Sequence, residues 1–437
     1  MRALTVIVLT LTLLRSENWP SFRGPGASGV TESSNLPVSW NVETGANVAW
    51  KTAIPGLGLS SPIVWDDRIF VTTAISSNPN MVFESKLKGE RDDRQDPMEQ
   101  EFRVLALDKR TGRIVWNQLA NKAKPRVLRH PHNSYASPTP ATDGTYLVAF
   151  FGSEGLYCYD LSGHLLWQKD LGALDQGAFD VPDYQWGSAS SPILWNGKVL
   201  LQVDLHKDSF LAAFDAKSGR ELWRAPRDVK PAWSSPTVVT GPTRTEIVTN
   251  GVEHVISYEA ETGRELWRLK GTSMISVPTP FVHDGLIYVF TGYYRYQRRS
   301  YAIRLGATGD ITDSKEFIAW MREEAPYLST PVVCGGLVYA YGSRGSGILN
   351  VYDARTGATV YQQRLGAGTG ASSSPIAAGD RVYAINEDGD VYVIGAGRTY
   401  RELAVNHMSE PVMATPAASG DTLLIRTAAY LFALRKR

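Results

Sequence analysis

One segment recurs along this chain, and its clearest copy spans residues 190–223. This copy holds four short runs of strand-forming residues, separated by turns such as Asn196–Gly197 and Ser218–Gly219. Tight turns between such runs are typical of antiparallel hairpins. A single four-stranded sheet cannot bury both of its faces, so each copy needs other copies as neighbours.

Two short motifs delimit the copies. An opening step, in which Pro usually follows Ser or Thr, starts each copy; in the fifth copy Val277 precedes the proline. An acidic residue followed by a Thr/Ser-Gly turn and then an aromatic residue closes most of them, as in 106–116, 213–223 and 257–267, where the acidic residue is Asp, Asp and Glu. Four strands per unit at this period predict an all-β fold, an eight-bladed β-propeller of four-stranded antiparallel blades. The opening prolines are Pro62, Pro138, Pro192, Pro236, Pro278, Pro331, Pro375 and Pro416.

The two ends of the chain predict how the ring closes. Residues 47–52 read like a closing strand, with Trp50 in the position of Trp116, whereas the last copy, 413–437, has only three strands. We therefore expect the N-terminal strand to complete the last blade and remove its free edge. The predicted organisation is a signal peptide or N-terminal anchor at 1–16, an irregular lead-in at 17–46 and the propeller at 47–437.

The first residues favour export. Residues 3–14 form an apolar run that suits a signal peptide and is too short for a membrane span of about 20 residues. Because no A-x-A cleavage pattern follows, an uncleaved anchor stays open as the alternative, and membrane contact is expected only through it. We predict a periplasmic or secreted protein. A charged segment at 76–101 is predicted to be a surface loop.

Charge and cysteine content exclude some classes of function. The chain has 45 basic and 44 acidic residues, which gives no electrostatic case for nucleic-acid binding. Cys158 and Cys334 fall in the second and sixth copies. A disulfide needs Cα atoms about 6 Å apart, so we predict that both thiols are free and packed in strands. We expect a monomer.

The closing motif Ala-x-Asp-x-x-Thr/Ser-Gly-x-x-x-Trp, the Ser-Ser-Pro openers and the N-terminal WPSFRGPGASGV together resemble the pyrroloquinoline-quinone-like (PQQ-like) propeller repeat over about residues 19–437. That repeat builds the propellers of quinoprotein alcohol dehydrogenases and of outer-membrane assembly lipoproteins. The resemblance implies that the closing aromatic residue of each blade stacks on the Gly-containing turn of the next blade, which the motif's Asp caps. These docking residues would be Trp50, Trp116, Trp167, Trp223, Trp267, Trp320, Tyr361 and Tyr400.

The same resemblance leaves the chemistry open. Quinoproteins hold their cofactor between a Trp and a disulfide of two adjacent cysteines, beside a calcium ion and an Asp base. This chain has no adjacent cysteine pair and no motif that matches the calcium ligands. We therefore predict no catalytic residue and no metal ligand, while PQQ and calcium stay open as cofactors.

The mouth of the central channel is the predicted ligand site, because the segments before the opening steps converge there. Aromatic side chains could stack a planar ligand, and histidines could donate to its anionic groups. The alternative is that the aromatic residues only fill the axis and the histidines bond backbone carbonyls. The candidates are His130, His132, Asn133, Ser134, Tyr135, Trp186, Trp233 and Tyr327.

Three other patterns are weaker. His130 and His132 could share a metal, as could Asp204 and His206, but neither pair has an evident third ligand. Residues 386–390 (NEDGD) start like a calcium loop but lack the bidentate Glu, so a hairpin turn is favoured. We thus predict an exported, non-catalytic binding or scaffold module of the bacterial cell envelope, which takes a protein or small-molecule partner at a propeller face. The alternative is a PQQ- and calcium-dependent dehydrogenase of alcohols or sugars.

Overall fold

The computed structural model describes residues 17–78, 96–178, 181–293, 296–342, 347–367 and 370–436. The predicted signal peptide or anchor at 1–16 lies outside the described residues, as does most of the predicted loop at 76–101. The ends of that loop differ from the prediction, because Ser76 and Gln100 pair within two long strands of one hairpin.

Eight antiparallel blades of four strands each make up the described fold, so the predicted eight-bladed propeller is confirmed. The middle strands of a blade are buried because both of their faces pack on neighbouring blades, as in Lys198–Val203 and Phe210–Asp215. The outermost strands are half exposed, and Ile114–Ala123 alternates between the two environments. This burial explains why the middle strands of each blade read as nearly continuous apolar runs in the sequence.

Blades 1 to 4 follow the chain from residue 63. Blade 4 gains a short fifth strand, Gly309–Asp310, which pairs in parallel with its outermost strand. A separate hairpin, Gly177–Ala178 with Val181–Gln185, lies between blades 2 and 3. From the inner to the outer edge the strands are Ile63–Trp65, Arg68–Ser76, Gln100–Asp108 and Ile114–Ala123; Ala141–Thr142, Tyr146–Phe150, Leu156–Asp160 and Leu165–Lys169; Ile193–Trp195, Lys198–Val203, Phe210–Asp215 and Glu221–Pro226; and Thr237–Thr240, Thr245–Asn250, His254–Glu259 and Glu265–Lys270.

Blades 5 to 8 complete the ring. In blade 8 the N-terminal strand Val48–Ala53 pairs with Tyr430–Leu434, which confirms the predicted closure. The described residues also include two short 3-10 helices outside the sheets, Pro25–Ala27 and Gly152–Glu154. The strands are Phe281–His283, Leu286–Thr291, Arg299–Arg304 and Ile318–Arg322; Val332–Cys334, Leu337–Tyr341, Ile348–Asp353 and Thr359–Arg364; Ile376–Ala378, Arg381–Ile385, Asp390–Gly395 and Glu402–His407; and Ala417–Ser419, Thr422–Arg426, Tyr430–Leu434 and Val48–Ala53.

A ring of hydroxyl side chains, which we call the hydroxyl collar, joins the blades around the axis. The Ser61 N–H donates to Thr139 Oγ1 at 2.9 Å, and the Thr139 N–H donates to Ser191 Oγ at 2.9 Å. Five further links of 2.8–3.3 Å continue the pattern from blade to blade. The collar consists of the residue before the proline that starts each inner strand: Ser61, Thr139, Ser191, Ser235, Thr279, Thr330, Ser374 and Thr415.

The collar corrects two of the predicted opening steps. Blade 2 opens at Thr139–Pro140 rather than at Pro138, and blade 5 opens at Thr279–Pro280 rather than at Pro278. Both stretches carry two prolines two residues apart, and the hydrogen bonds to the neighbouring blades select the second. Val277 is therefore not an exception, and every blade opens with Ser or Thr.

The lead-in crosses the propeller at the face where the inner strands end. The Pro20 carbonyl accepts the N–H of Thr142 in blade 2. The 3-10 helix Pro25–Ala27 contacts the inner strands of blades 4 and 5, and Val30 then pairs in parallel with Ala377 of blade 7. A path over blades 2, 4, 5 and 7 passes over the axis, so the lead-in covers this end of the channel.

Arg23 anchors the lead-in at the axis. Its guanidinium donates to the carbonyls of Thr330 and Pro331 in blade 6, at 3.0 and 2.7 Å, and the side chain is fully buried. The next residue, Gly24, has a φ of 70°, and a Cβ there would lie 2.7 Å from the ring of the buried Trp19. Only glycine fits this close approach, so the RGPG stretch shapes the crossing.

Both cysteines are buried and free, Cys158 in blade 2 and Cys334 in blade 6. Burial raises the pKa of the Cys158 thiol to about 12 and that of Cys334 to about 11. Neutral, buried thiols are unreactive, so both side chains act as small core residues. No helix within the described ranges is long and apolar enough to cross a membrane.

Candidate functional site

An axial cavity of about 230 Å³ runs from the lead-in to the opposite face of the propeller. The hydroxyl collar lines its waist, and Phe22 of the lead-in lies at its floor. Residues from the segments that precede the inner strands of blades 2, 3, 4 and 6 surround its other end, which we call the mouth. Six sequence-predicted site residues line this cavity: His130, His132, Asn133, Trp186, Trp233 and Tyr327.

Aromatic side chains form one wall of the mouth. Trp186 and Trp233 stack with ring centroids 5.1 Å apart and planes inclined by 29°, and the Trp233 indole N–H donates to the Gly187 carbonyl at 2.7 Å. Tyr327 packs against Tyr293, with centroids 5.2 Å apart. Tyr293 comes from a loop inside blade 5 and was not predicted from the sequence. The wall is thus assembled from blades 3, 4, 5 and 6.

Ile275 packs in the same wall and is buried, yet its φ is 56°. A β-branched residue rarely adopts a positive φ, because its side chain then crowds the backbone. Such strain persists only where the surroundings impose it, and it is frequent at functional sites. The wall therefore holds its shape against a local conformational cost.

The loop that carries the two histidines is held by a buried arginine. The Arg129 guanidinium donates to the carbonyls of His130, Pro131 and Asn133, at 3.1, 3.2 and 2.7 Å. Burial lowers the pKa of Arg129. The Asn133 side-chain N–H donates to the Trp186 carbonyl at 2.7 Å, so this loop is tied to the aromatic wall.

Ser372 and Glu387 of blade 7 meet His132 on the other side of the mouth. The Ser372 hydroxyl donates to Glu387 Oε1 at 2.5 Å, and His132 Nε2 lies 3.4 Å from both Ser372 Oγ and Glu387 Oε1. His132 and Glu387 are both more than nine-tenths buried at their side chains. Sequence reasoning missed this contact, because Glu387 belongs to the NEDGD turn and nothing local indicates that its carboxylate faces the axis.

The NEDGD turn itself is a hairpin turn, as predicted. The Asp390 N–H donates to Asn386 Oδ1 at 2.8 Å, and the Asn386 side-chain N–H donates to Asp390 Oδ2 at 2.9 Å. Both side chains that could have started a calcium loop are thus used to close the turn.

Two sequence-predicted mouth residues lie elsewhere. Tyr135 does not line the axial cavity, because its ring packs on Phe102 and its hydroxyl donates to the Asp96 carbonyl at 2.7 Å, between blades 1 and 2. Burial raises its pKa. Ser134 accepts the N–H of Leu59 at 3.1 Å and has a structural contact there.

Asp204 is engaged in a buried ion pair rather than paired with His206. The Arg227 guanidinium donates to Asp204 Oδ1 at 2.7 Å and to Oδ2 at 3.2 Å, and both side chains are fully buried. The Asp204 carboxylate also raises the pKa of Arg227 against the opposing effect of desolvation. The alternative of a metal at Asp204 and His206 is not supported by this arrangement.

The residues around the axial cavity do not fit a calcium-dependent quinone cofactor. Among the described residues, no group of three His, Cys, Asp or Glu side chains could hold a metal ion. The two cysteines are in separate blades, and the carboxylate of Glu387 is bonded to Ser372.

Four of the predicted docking residues make the same contact with the next blade. Each indole N–H donates to a backbone carbonyl at 2.8–3.1 Å: Trp50 to Lys109, Trp116 to Leu161, Trp167 to Ala216 and Trp320 to Ala354. Each ring packs directly on a turn glycine of the next blade. A Cβ built on that glycine would lie within 2.9 Å of the nearest ring atom, at Gly112, Gly163, Gly219 and Gly357.

The turns that receive these rings are capped as the motif implies. Asp108 Oδ1 accepts the backbone N–H of Thr111 at 2.8 Å, and Asp215 Oδ1 accepts that of Ser218 at 2.8 Å. A side-chain cap holds the turn in the conformation that places its glycine under the indole.

The other four predicted docking residues differ. Trp223 lies over Gly263, but its buried N–H has no partner among the described residues. The Trp267 N–H donates to Glu246 Oε2 of its own blade at 2.8 Å. Tyr361 and Tyr400 contact each other edge to face, with Tyr400 in the turn before the last strand of blade 7. The four docking residues that differ are therefore Trp223, Trp267, Tyr361 and Tyr400.

Comparison with known families now identifies the repeat. A family model described as "Outer membrane protein assembly factor BamB" matches residues 26–202 and 207–437, which is most of the chain. The chain belongs to this PQQ-like propeller family. A search of curated proteins found no match.

Solved structures resemble this PQQ-like propeller in fold. BamB from Moraxella catarrhalis aligns with a TM-score of 0.56 and 12% identity, over 89% of this chain and 99% of its own. A europium-containing methanol dehydrogenase aligns with a TM-score of 0.61 and 11% identity, over 95% and 90%. A quinohemoprotein alcohol dehydrogenase from Pseudomonas putida HK5 aligns with a TM-score of 0.60 and 13% identity, over 96% and 80%. At such low identity these likenesses show the fold alone.

Proposed function

We propose that this PQQ-like propeller is an exported, non-catalytic binding module of the bacterial cell envelope, which receives a protein or small-molecule partner at the mouth of the axial cavity. The observation that carries the proposal is the convergence of Trp186, Trp233, Tyr293 and Tyr327 with two histidines at one end of one cavity. Aromatic side chains and histidines with a polar tip are the residues that interfaces and ligand sites favour.

The arrangement at the opposite end of the axis also supports binding at the mouth. The lead-in lies across that end with Phe22 at the floor and Arg23 buried beneath it. A partner that enters the channel therefore approaches from the mouth. The family description "assembly factor" supports a role in which the propeller binds another protein.

A crosslinking experiment tests this proposal. A photo-crosslinking amino acid at Gln297, an exposed position in the loop that carries Tyr293, should form a specific adduct in the envelope of the producing bacterium. The matched control is Lys217, which is exposed on a turn of the opposite face. We expect the Gln297 adduct to disappear when Trp186→Ala is added. Equal adducts from both positions, or none from Gln297, would contradict the proposal.

The dehydrogenase alternative is tested by calorimetric titration of the purified protein with PQQ, with and without calcium. No saturable heat is expected, because the described residues around the cavity offer no cluster of metal ligands. Calcium-dependent saturable binding that is lost in Trp186→Ala would replace the binding-module proposal with an oxidoreductase.

A further inference from the structure

The hydroxyl collar faces the axial cavity with unused donors. All eight collar side chains line the cavity and are 1–4% exposed. Seven collar oxygens accept a backbone N–H from the preceding blade, at 2.8–3.3 Å. A hydroxyl also carries one O–H donor, and no residue in the described part of the chain accepts it at these positions. The waist of the cavity is therefore a ring of O–H groups available to whatever fills it.

Two buried cations lie beside this ring. Arg23 donates to the carbonyl of the collar residue Thr330, and Arg426 donates to the carbonyl and hydroxyl of Ser60, next to the collar residue Ser61. Their acceptors in the described residues are carbonyls and hydroxyls rather than carboxylates. Burial lowers the pKa of each guanidinium to about 9, which leaves both cationic at neutral pH.

A buried charge without a counter-charge is costly to stability. An anion in the waist of the cavity would reduce this cost, since charges interact more strongly inside a protein than in water. It would also accept hydrogen bonds from the collar O–H groups, and hydrogen bonds to an anion are about twice as strong as those between neutral groups. The carboxylate of Glu387 lies at the mouth against Ser372 and His132, and it makes no ion pair with either arginine among the described residues.

We infer that the hydroxyl collar is a binding site for one small inorganic anion, a halide or an oxyanion such as phosphate. The bound anion would connect the blades through the collar hydroxyls and would offset the charges of Arg23 and Arg426, which lie behind the collar and bond its backbone or the backbone next to it. Its role is to stabilise the propeller. The inference does not depend on what binds at the mouth, and it would stand if the proposed docking function failed.

Direct titration tests the inference. The full-length protein would be titrated in a calorimeter with sodium phosphate and, separately, with sodium chloride, in gluconate buffer at constant ionic strength. We expect saturable binding of at least one of them with a stoichiometry near one. The thermal midpoint should rise by about 3–6 °C at a hundredfold excess over Kd. No saturable heat with either anion would overturn the inference and leave the collar filled with water only.

Paired collar variants locate the site. Thr279→Val with Thr415→Val removes two hydroxyls and keeps the side-chain shape, and should weaken anion binding by about tenfold or more. The matched control, Thr279→Ser with Thr415→Ser, keeps both hydroxyls and should bind within about threefold of the native protein. Equal affinity in the two double variants would place the anion elsewhere and overturn the inference.

A charge variant adds a second test. Arg23→Met should abolish the anion-dependent rise in the thermal midpoint, whereas Arg23→Lys should retain part of it, because Lys keeps the charge but not the fork of donors. If Arg23→Met fails to fold, the collar variants still decide the question. An unchanged anion response in a folded Arg23→Met protein would contradict the role of this cation.

Discussion

The junction between blades 1 and 2 and the junction between blades 4 and 5 carry the same tryptophan in the closing motif but use it differently. Trp116 lies half-buried on the Gly163 turn of the next blade and donates to the Leu161 carbonyl. Trp267 is 1% exposed, donates to Glu246 of its own blade, and packs among apolar side chains of blades 4 and 5. We call the first a docked junction and the second a covered junction.

The receiving turn accounts for the difference. In blade 2 the third strand ends at Asp160, which caps a tight turn, whereas the third strand of blade 5 ends at Arg304 and its N–H reaches the distant Phe317 carbonyl. The longer connection lets Gly309–Asp310 pair beside the outermost strand of blade 4. A tryptophan in the motif therefore docks only where the next blade supplies a capped glycine turn.

The largest effect is expected from a substitution that breaks the covered junction. Trp267→Ala should lower the free energy of unfolding by about 4 kcal/mol, because it empties a fully buried site and removes one donor to Glu246, which keeps the Ser257 hydroxyl as a donor. Trp116→Ala, the matched change at the docked junction, should cost clearly less because Trp116 is half-exposed. Denaturant unfolding of both variants measures the difference, and equal losses would show that the two junctions are energetically alike.

The second prediction tests the turn rather than the tryptophan. Gly112→Ala should cost about 3 kcal/mol, since φ is 73° and the new Cβ would lie 2.5 Å from the Trp50 ring. Gly309→Ala, at a φ of 71° with no atom within 4 Å, should cost about 1 kcal/mol from backbone strain alone. Thermal unfolding separates them. Similar costs would mean that the indole moves aside and that the close approach matters little.

The third prediction isolates the indole hydrogen bond. Trp116→Phe removes the bond to Leu161, whereas Trp223→Phe removes a buried N–H that has no partner among the described residues. Trp116→Phe should therefore be the more destabilising by about 1 kcal/mol. Both variants lose similar ring area, so a difference near zero in denaturant unfolding would indicate that stacking alone carries the junction.

The smallest expected effect concerns acid. The Thr111 hydroxyl and N–H hold the pKa of Asp108 below its ordinary 3.8, and the Ser218 hydroxyl does the same for Asp215. Because these pKa values are lower in the folded state, the stability they contribute is present above about pH 4 and is lost as the pH falls through the folded values. Thermal unfolding between pH 5 and pH 3 should show a smaller acid loss in Asp108→Asn/Asp215→Asn. An unchanged acid loss would exclude these caps as its source.

The closing motif allowed half of the junctions to be predicted in detail. Motif residues lie close together in sequence, so the turn, its Asp cap and the position of the aromatic residue follow from local patterns, as at Trp50, Trp167 and Trp320. The departure at Trp267 could not be predicted from its own segment, which matches the motif well. The cause lies about 40 residues further along the chain, in the connection that follows Arg304.

The candidate site could also be predicted only in part, because only some of its residues have positions that follow from the repeat. His130, Trp186, Trp233 and Tyr327 precede inner strands, and the blade topology alone places such residues at the mouth. Glu387 and Tyr293 lie in loops within blades, where the repeat predicts turns but not the direction of a side chain. Whether their side chains face the mouth depends on packing against distant segments.

The propeller, its eight blades and its closure could all be predicted from the repeat, because its strands pair with their neighbours along the chain. The tertiary structure decided what lies on the axis. The collar register at Thr139 and Thr279, the crossing of the lead-in and the burial of Arg23 depend on contacts between segments that are tens to hundreds of residues apart. Such contacts form only when the ring closes and brings all eight inner strands around one cavity.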